Sequence, residues 1–296
     1  MLCAAMAPPP AELIPTIPDP VRAAVRNAVW AYGRATAQLR ALPDFLILGA
    51  QKAGTTALYS YLRRHPAIVG PWWKEVSFFD RHFARGESWY RGQFPTRAQR
   101  RLVTRRTGAE VLAGEASPGY LFHPFAADRV AALLPTARLI ALLRNPVDRA
   151  LSHYNHEVAF SREPLSFEEA IAAEPERMRG ELERMRDPSY FSHAWWNFTY
   201  VGRGRYAEQL ERWLAVFPRE RILVLASNEL LERPAKTYAR VLEFLGVPPH
   251  RLESYPRMFE RDYAQMDPAT RRMLADEFAE PNRRLYELLG RDLGWS

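Results

Sequence analysis

The sequence predicts an α/β fold of three layers, in which a central parallel sheet of about five strands is flanked by helices. Three observations lead to this prediction. Short runs of consecutive apolar residues recur along the chain, which is typical of strands covered on both faces. Segments with helical periodicity separate these runs, and such alternation forms parallel sheets with right-handed crossovers. The 296 residues, 47% of them hydrophobic, are enough to build a full core.

The predicted elements follow in chain order. The five strands are expected at residues 45–48, 67–69, 111–114, 138–143 and 221–225. Between and around them, helical periodicity predicts helices at residues 57–64, 126–134, 146–160, 206–217 and 234–245. Pro146 suits the first turn of its helix, because proline lacks the N–H that this position leaves unused. The highly charged segment 167–186 is expected to be an exposed helix.

Residues 1–42 are predicted to be an N-terminal extension, followed by a single domain over residues 43–296. Residues 1–20 are rich in alanine and proline and lack the basic and apolar regions of a signal peptide. No run approaches the roughly 20 apolar residues of a membrane-spanning helix, so we expect a cytoplasmic protein. Residues 21–42 alternate apolar residues with arginines and predict an amphipathic helix. We expect it to pack on the domain, with peripheral membrane contact as the alternative.

The chain is basic, with 41 Lys and Arg against 34 Asp and Glu, a net charge of +7. This favours an anionic partner without choosing among nucleotides, nucleic acids, anionic glycans and membranes. The single cysteine excludes a disulfide framework and a multi-cysteine zinc site. A basic cluster is either a site for an anionic polymer or a solvated connector. It contains Arg97, Arg100, Arg101, Arg105 and Arg106.

Lysine is rare in this chain. Only Lys52, Lys74 and Lys236 are lysines, and arginine supplies every other strong positive charge. Lysine is a compact point charge, whereas arginine is a planar fork, so a retained lysine suggests contact with a single atom. Chance placement is the alternative.

Residues 49–56 form a loop of small residues between a predicted buried strand and a predicted helix. Backbone N–H groups and a helix N-terminus at such a point form an anion site. Gly54 permits close approach, and Thr55 and Thr56 add hydroxyl groups. The loop is P-loop-like without being a Walker A sequence, which places lysine directly after the last glycine, whereas Lys52 precedes Gly54. A simple turn with no ligand leaves the lysine and both threonines unexplained.

The predicted strand 138–143 ends in Arg144, where a nucleoside triphosphatase usually has an aspartate that helps to hold Mg²⁺. Ser152 follows about two helical turns later, on the same side of its helix. An arginine and a hydroxyl can clamp one phosphate through charge-assisted hydrogen bonds. The sequence therefore predicts phosphate binding without a metal.

These segments resemble motifs of the sulfotransferases that use 3′-phosphoadenosine 5′-phosphosulfate (PAPS). Residues 51–58 resemble the 5′-phosphosulfate loop, and residues 144–154 resemble the 3′-phosphate motif. Further similar segments, in the order of the family, are residues 74–80, 115–120, 204–213 and 292–295. The resemblance is in particular to the N-deacetylase/N-sulfotransferase and 3-O-sulfotransferase domains of the heparan sulfate group and their prokaryotic relatives.

The resemblance implies transfer of a sulfuryl group from PAPS to a hydroxyl or amine of a carbohydrate-type acceptor, by in-line displacement and without a metal. Glu75 matches the catalytic base, and we expect its apolar neighbours to raise its pKa; an exposed carboxylate paired with Lys74 is the alternative. Lys52 matches the residue that contacts the bridging oxygen, and His156 matches an acceptor contact or auxiliary base. The implied cofactor-binding residues are Lys52, Ala53, Gly54, Thr55, Thr56, Arg144, Ser152, Tyr206 and Arg257.

The sequence departs from the heparan sulfate group at two places. Ala116 stands where that group has a functional lysine, and the late cysteine-paired loop with its Lys-Gly-Arg sequence is missing. Arg257 or Arg261 is a candidate replacement for this loop. Both departures weaken heparan sulfate itself as the acceptor and leave the cofactor prediction in place.

On the acceptor side, tryptophans beside the predicted cleft either stack on sugar rings or pack in the core. The candidate substrate residues are Trp72, Trp73, Lys74, Trp195 and Trp196. We expect a hydroxyl-bearing glycan or glycolipid, with an anionic character that would explain the remaining charge, and no nucleic acid. The alternatives are a non-carbohydrate small molecule, a hydroxyacyl or lipid acceptor, a small-molecule kinase, and a non-catalytic glycan-binding module.

Overall fold

A five-stranded parallel sheet forms the centre of the computed structural model, which describes residues 19–258 and 265–295. The strands are β1 (Phe45–Gly49), β2 (Ile68–Val69), β3 (Leu112–Ala116), β4 (Arg138–Leu143) and β5 (Ile222–Ala226). Their order across the sheet is β2-β3-β1-β4-β5, and every pairing is parallel. The predicted fold class and all five predicted strands are confirmed, each strand within two residues of its expected ends.

Helices flank the sheet. In the described ranges they are α1 (Asp19–Ala35), α2 (Thr55–Arg63), α3 (Glu87–Arg91), α4 (Arg97–Thr107), α5 (Ala126–Leu133), α6 (Pro146–Ala159), α7 (Phe167–Arg177), α8 (Glu181–Arg184), α9 (His193–Asn197), α10 (Tyr206–Leu214), α11 (Ser227–Glu232), α12 (Pro234–Leu245) and α13 (Pro268–Leu289). All side chains of β1 and β3 are buried, as are five of the six in β4. The central strands are therefore covered on both faces, as their continuous apolar runs predicted.

Two helices differ from their predicted extent in ways that matter later. α2 begins at Thr55 rather than Ala57, so both threonines of the loop belong to the first helical turn. The predicted helix 167–186 is divided into α7 and α8, because Gly180 has a left-handed φ of 75° and interrupts the helix.

The N-terminal helix packs on the rest of the structure, but through a face that its apolar pattern did not predict. α1 ends at Ala35, well before the expected residue 42. Trp30 meets Trp89 edge to face, with ring centroids 6.0 Å apart. Gly33 is buried so closely against Gly92 that a Cβ would lie 2.6 Å from the Gly92 carbonyl oxygen. A side chain at either glycine would therefore separate α1 from α3.

Candidate active site

The predicted phosphate-binding loop, Glu75 and Arg144 lie at the carboxyl ends of β1, β2 and β4. Because the strands are parallel, these ends share one edge of the sheet, which is where ligands bind in open α/β folds. The loop 50–54 follows β1, the loop 70–82 follows β2, and Ser117 and Arg144 follow β3 and β4. The sheet thus joins segments that are up to about a hundred residues apart in sequence.

The loop after β1 is fixed by its own backbone. The Ala50 amide donates to the Leu142 carbonyl at 2.6 Å, and the Ala53 amide donates to the Ala50 carbonyl at 3.2 Å. Gly54, with φ of 96°, is the N-cap of α2, and no side chain caps this helix. The first amides of a helix have no partner within it, so the turn that begins at Thr55 is available to an anion.

The structure brings the two predicted phosphate motifs side by side. Arg144 Nη1 donates to the Lys52 carbonyl oxygen at 3.2 Å. The Tyr206 hydroxyl donates to the Arg144 carbonyl at 2.9 Å, and burial raises the pKa of Tyr206 to about 12. Ser152 is buried on α6, whose start is fixed by Asn145 as N-cap and Pro146 in the first turn. Arg144, the Ser152 hydroxyl and the uncapped N-terminus of α2 therefore lie at one end of the sheet.

Glu75 lies in the irregular loop after β2. Its carboxylate forms an ion pair with Lys74, and 44% of its side chain is exposed. The apolar neighbours Val76, Phe78 and Phe79 are buried in the core and do not enclose it. Glu75 is therefore more exposed than the sequence led us to expect, and the Lys74 pairing named as the alternative is present.

The buried carboxyl group of Glu115 supports the Glu75 loop through hydroxyl groups that bond to both. Glu115, at the end of β3, accepts hydrogen bonds from the hydroxyls of Tyr90 at 2.6 Å, Ser117 at 2.7 Å and Tyr120 at 2.9 Å. The Ser77 amide donates to Ser117 Oγ at 3.0 Å, and the Phe78 amide donates to the Tyr120 hydroxyl at 2.9 Å. Burial raises the pKa of Glu115. We did not predict this role; the signal in the sequence is an acidic residue within an otherwise apolar strand.

Asp80 is a second acid near the site, with both carboxyl oxygens buried. Neither carboxyl oxygen has a hydrogen-bond partner in the described part of the chain. Burial, followed by the nearby Glu115, raises the pKa of Asp80 to about 8. A Cβ on Gly119 would lie 2.2 Å from Asp80 Oδ2, so only glycine fits beside this carboxyl. The carboxyl group is mostly protonated at neutral pH.

The inner face of α6 carries charged and titratable groups next to the loop. His153 is fully buried, and burial, followed by Arg149, holds its pKa well below the usual value. Lys52 also acts electrostatically on His153 and Glu157, so its ammonium group lies toward this helix. His156 is half-buried and packs edge to face on Phe160, at 4.8 Å between centroids. Nothing in the structure distinguishes its two predicted roles.

The tryptophans divide into two kinds. Trp73 is 38% exposed next to Lys74, in the position expected of a sugar-stacking side chain. Trp195 instead stacks on Phe122, with centroids 4.8 Å apart and planes at 22°. Trp72 is half-buried. Trp196 is also half-buried and lies beside Gly119, with Arg81 over its ring at 5.8 Å. Trp73 is therefore the exposed member of the four, and contact of these tryptophans with an acceptor stays a prediction.

The segment after α12 approaches α2 from the side. Tyr61 donates to the Pro256 carbonyl at 2.8 Å, and Arg64 donates to the Ser254 carbonyl at 2.6 Å. Arg257 follows directly and is exposed, which leaves its proposed cofactor contact a prediction. Arg261, the other candidate, lies outside the described residues. Within the described ranges, no group of three or more His, Cys, Asp or Glu side chains is placed to hold a metal ion.

Comparison with known proteins identifies the family. A family model described as the sulfotransferase domain matches residues 42–280. The chain belongs to the sulfotransferase domain family. This sulfotransferase resembles the crystal structure of a sulfotransferase from Alicyclobacillus acidocaldarius, with 35% identity, a TM-score of 0.62, and coverage of 86% of this chain and 98% of the other. It is therefore a transferase of the sulfotransferase class.

Two curated relatives extend the comparison. The sulfotransferase is 32% identical to human bifunctional heparan sulfate N-deacetylase/N-sulfotransferase 3 over 84% of its length, and spans 30% of that protein. It is 28% identical to membrane-associated sulfotransferase kil1 of Dictyostelium discoideum, over 87% of this chain and 67% of that one. The name of the second relative contradicts our expectation of a cytoplasmic protein, and that expectation is wrong. No helix in the described ranges is long and apolar enough to cross a membrane.

Proposed function

We propose that this sulfotransferase transfers a sulfuryl group from PAPS to a hydroxyl or amine of a carbohydrate acceptor. The observation that carries the proposal is the hydrogen bond of 3.2 Å from Arg144 to the Lys52 carbonyl. It joins the uncapped N-terminus of α2 to an arginine at the end of β4, and the Glu75 loop opens on the same edge of the sheet. Two anion sites and a carboxylate are the parts that this chemistry requires.

The residues present fit a doubly phosphorylated nucleotide. The amides of Gly54, Thr55 and Thr56 would hold its 5′-phosphate at the start of α2. Arg144 and the Ser152 hydroxyl would hold its 3′-phosphate, with Tyr206 supporting the Arg144 backbone. When bound, PAPS supplies the sulfuryl group, and its phosphate oxygen is the leaving group.

The chain supplies a base and a cation. Glu75 accepts the proton of the acceptor hydroxyl or amine as its bond to sulfur forms, after the carboxylate leaves its ion pair with Lys74. The Lys52 ammonium group stabilises the negative charge that develops on the leaving oxygen as its bond to sulfur breaks. Neither step calls for a metal ion, so activity should persist in an excess of EDTA.

The carbohydrate acceptor is supported by the human relative, which is named for N-sulfation of heparan sulfate. Exposed Trp73 beside Lys74 and Glu75 offers a flat apolar surface to a sugar ring. The proposal stops at the class of carbohydrates, because Ala116 and the missing Lys-Gly-Arg loop separate this chain from the heparan sulfate enzymes.

The test is transfer of label from ³⁵S-PAPS to a panel of glycans, glycolipids, phenols and hydroxyacyl carriers. We expect label on a glycan or glycolipid, and tight binding of adenosine 3′,5′-bisphosphate with weak binding of ATP. Label found only on phenols or hydroxyacyl carriers would overturn the carbohydrate acceptor. Loss of activity in EDTA that Mg²⁺ restores would contradict the mechanism.

The Glu75→Gln variant tests the base. It should bind adenosine 3′,5′-bisphosphate like the wild type and lose about 10²- to 10⁴-fold in kcat. Glu87→Gln is the matched control, since Glu87 is another exposed acid that pairs with a neighbouring cation, Arg91. A Glu75→Gln variant with wild-type kcat would remove Glu75 from this role.

A further inference from the structure

The net charge of the protein is concentrated in two stretches of sequence. Residues 20–43 contain four arginines, and residues 88–109 contain six, and neither stretch contains an acidic residue. These ten positive charges exceed the net charge of the whole chain, which is +7, so the rest of the protein is net negative. The location of these two stretches therefore decides where the protein attracts anions.

The fold brings α4 and the turn after α1 together at the amino ends of the strands. Arg100 on α4 donates to Asp44, just before β1, at 2.8 Å, and to the Val111 carbonyl, just before β3, at 2.5 Å. Arg40 forms an isolated antiparallel bridge with Thr96. The candidate active site lies at the carboxyl ends of the same strands, so α4 and the candidate site occupy opposite edges of the sheet, and α1 packs on α3.

Six of the nine arginines whose side chains the structure describes are exposed. They are Arg26, Arg34, Arg97, Arg101, Arg105 and Arg106, which we call the basic edge. None of the six forms an ion pair with an acid in residues 24–258 or 265–295. In contrast, Arg40 is buried, and Arg91 and Arg100 are paired with Glu87 and Asp44. Charge left unpaired on this scale attracts a polyanionic partner.

Large apolar side chains are exposed on the same elements. Val25 and Tyr32, seven residues apart on α1, are 54% and 58% exposed. Leu39, in the turn that follows α1, is 62% exposed, and Leu102, between the arginines of α4, is 48% exposed. A soluble polyanion needs only the arginines, whereas a lipid surface binds both the cationic and the apolar groups.

We propose that the basic edge, together with Val25, Tyr32, Leu39 and Leu102, docks on an anionic lipid bilayer. Arginines pair with lipid phosphates, and the apolar side chains enter the boundary between headgroups and acyl chains. The opposite edge of the sheet, with the Glu75 loop, then faces away from the bilayer. The positive charge of the protein, which suggested an anionic acceptor in the sequence, then serves to attach the protein to the bilayer.

Vesicle sedimentation tests the docking. The full chain is mixed with vesicles of phosphatidylcholine, with or without about 30% phosphatidylglycerol. We expect binding to the anionic vesicles alone, and release as NaCl rises to about 0.5 M, because salt screens the arginines. The triple variant Arg101→Glu, Arg105→Glu, Arg106→Glu should lower the partition coefficient at least about tenfold. The measurement requires no transferase activity, so its result is independent of the proposed function.

A matched control reverses three exposed arginines elsewhere, Arg179→Glu, Arg186→Glu and Arg272→Glu, and should bind almost as well as the wild type. Leu39→Ser with Leu102→Ser should weaken binding while the salt dependence remains. Equal binding by the two triple variants, or no binding by the wild type, would overturn the proposal. Binding to soluble heparin but not to anionic vesicles would also overturn it, in favour of a soluble polyanion.

The orientation has a separate readout and rests on the position of the candidate site. In a Cys3→Ser background, an environment-sensitive fluorophore on Leu102→Cys should shift to the blue when anionic vesicles are added. The same fluorophore on Leu182→Cys, an exposed position on α8, should not shift. A shift at residue 182 without one at residue 102 would overturn the proposed orientation.

Discussion

Three residues of the candidate site have backbone angles that side chains rarely adopt. Lys52, Glu75 and Ser77 have φ of 71°, 61° and 49°. Each such residue costs on the order of 1–3 kcal/mol unless its surroundings enforce it. The turn between Ala50 and Ala53 supports Lys52, and the bond of the Ser77 amide to Ser117 supports the second loop. The shape of both loops is therefore set by their neighbours.

The first prediction concerns Arg144. Arg144→Gln should weaken binding of adenosine 3′,5′-bisphosphate about ten- to a hundredfold, because a hydrogen bond to a charged group contributes roughly 1.5–3 kcal/mol. Isothermal titration calorimetry measures the Kd. Arg138→Gln, at the other end of the same strand, is the control and should leave the Kd unchanged. Equal affinity in the two variants would remove Arg144 from the phosphate site.

The second prediction follows from the raised pKa of Asp80. The folded protein keeps a proton on this carboxyl up to about pH 8, whereas the unfolded chain releases it near pH 4. Stability is therefore lost as pH rises from about 4 to 8. Asp80→Asn carries no titrating proton, so its Tm should exceed the wild-type Tm by a margin that grows to at least about 4 °C at pH 8.

The check is a series of thermal unfolding curves between pH 5 and pH 8. Asp128→Asn, at an exposed position on α5, is the control and should differ from the wild type by the same amount at every pH. A constant gap for Asp80→Asn as well would show that the carboxyl does not titrate in this range.

At the scale of elements, β3 supports the loop that follows β2. The strand places Glu115 beneath that loop. The segment after the strand supplies the hydroxyls of Ser117 and Tyr120, which accept hydrogen bonds from the loop amides. The hydroxyls that contact Glu115 come from α3 and from the turn after β3, so four segments meet at one carboxyl. Burial of this network makes the position of the Glu75 loop depend on the packing of the sheet.

The third prediction separates loop support from stability. Tyr120→Phe removes the acceptor for the Phe78 amide and should lower kcat about tenfold, with the affinity for adenosine 3′,5′-bisphosphate unchanged and a stability loss of about 1–2 kcal/mol. Tyr90→Phe removes a hydrogen bond to the same Glu115 and keeps both the ring that stacks on Phe78 and the acceptors of the loop amides. It should lose similar stability and keep its kcat. Steady-state kinetics with urea unfolding checks both, and equal losses of kcat would contradict the prediction.

At the scale of the whole molecule, histidines with lowered pKa values contribute to the response to acid. Burial lowers the pKa of His82 to about 4 and that of His123 to about 3. Below about pH 6.5 the unfolded chain binds protons that these folded histidines do not bind, so stability is lost as pH falls. The raised pKa of Asp80 has the opposite effect on the pH dependence of stability. The difference between a variant and the wild type therefore isolates one group, whereas the pH curve of the wild type alone combines them.

The fourth prediction uses His123→Asn, which can keep the acceptor that the His123 ring offers to the Phe125 amide at 3.3 Å. Relative to the wild type, this variant should gain about 4 °C in Tm when the pH falls from 7 to 5. Differential scanning calorimetry at the two pH values measures the gain. His193→Asn, at an exposed histidine, is the control, and an equal shift in the control would contradict the role of burial.

Residues close in sequence were the most predictable part of the fold and site. The strand at residues 138–143 and the helix at residues 234–245 were predicted to the residue, because an apolar run and Pro234 define their ends locally. The pairing of Lys52 with the Arg144 motif followed from the resemblance. The exposed state of Glu75 and the stacking of half-buried Trp195 on Phe122 did not follow, since both depend on segments far away in sequence.

The α/β class, the strands and the family were predictable from the sequence alone, and so were the candidate phosphate-binding segments. These features are predicted by hydrophobic periodicity and short motifs, each of which extends over only a few residues. The tertiary structure was needed to show that Glu115 supports the Glu75 loop and that the carboxyl oxygens of Asp80 are buried without a hydrogen-bond partner in the described residues. It also shows that the exposed arginines of α4 lie at the edge of the sheet opposite the site. Such properties depend on contacts between distant segments, and burial and charge are summed over the folded surface rather than along the chain.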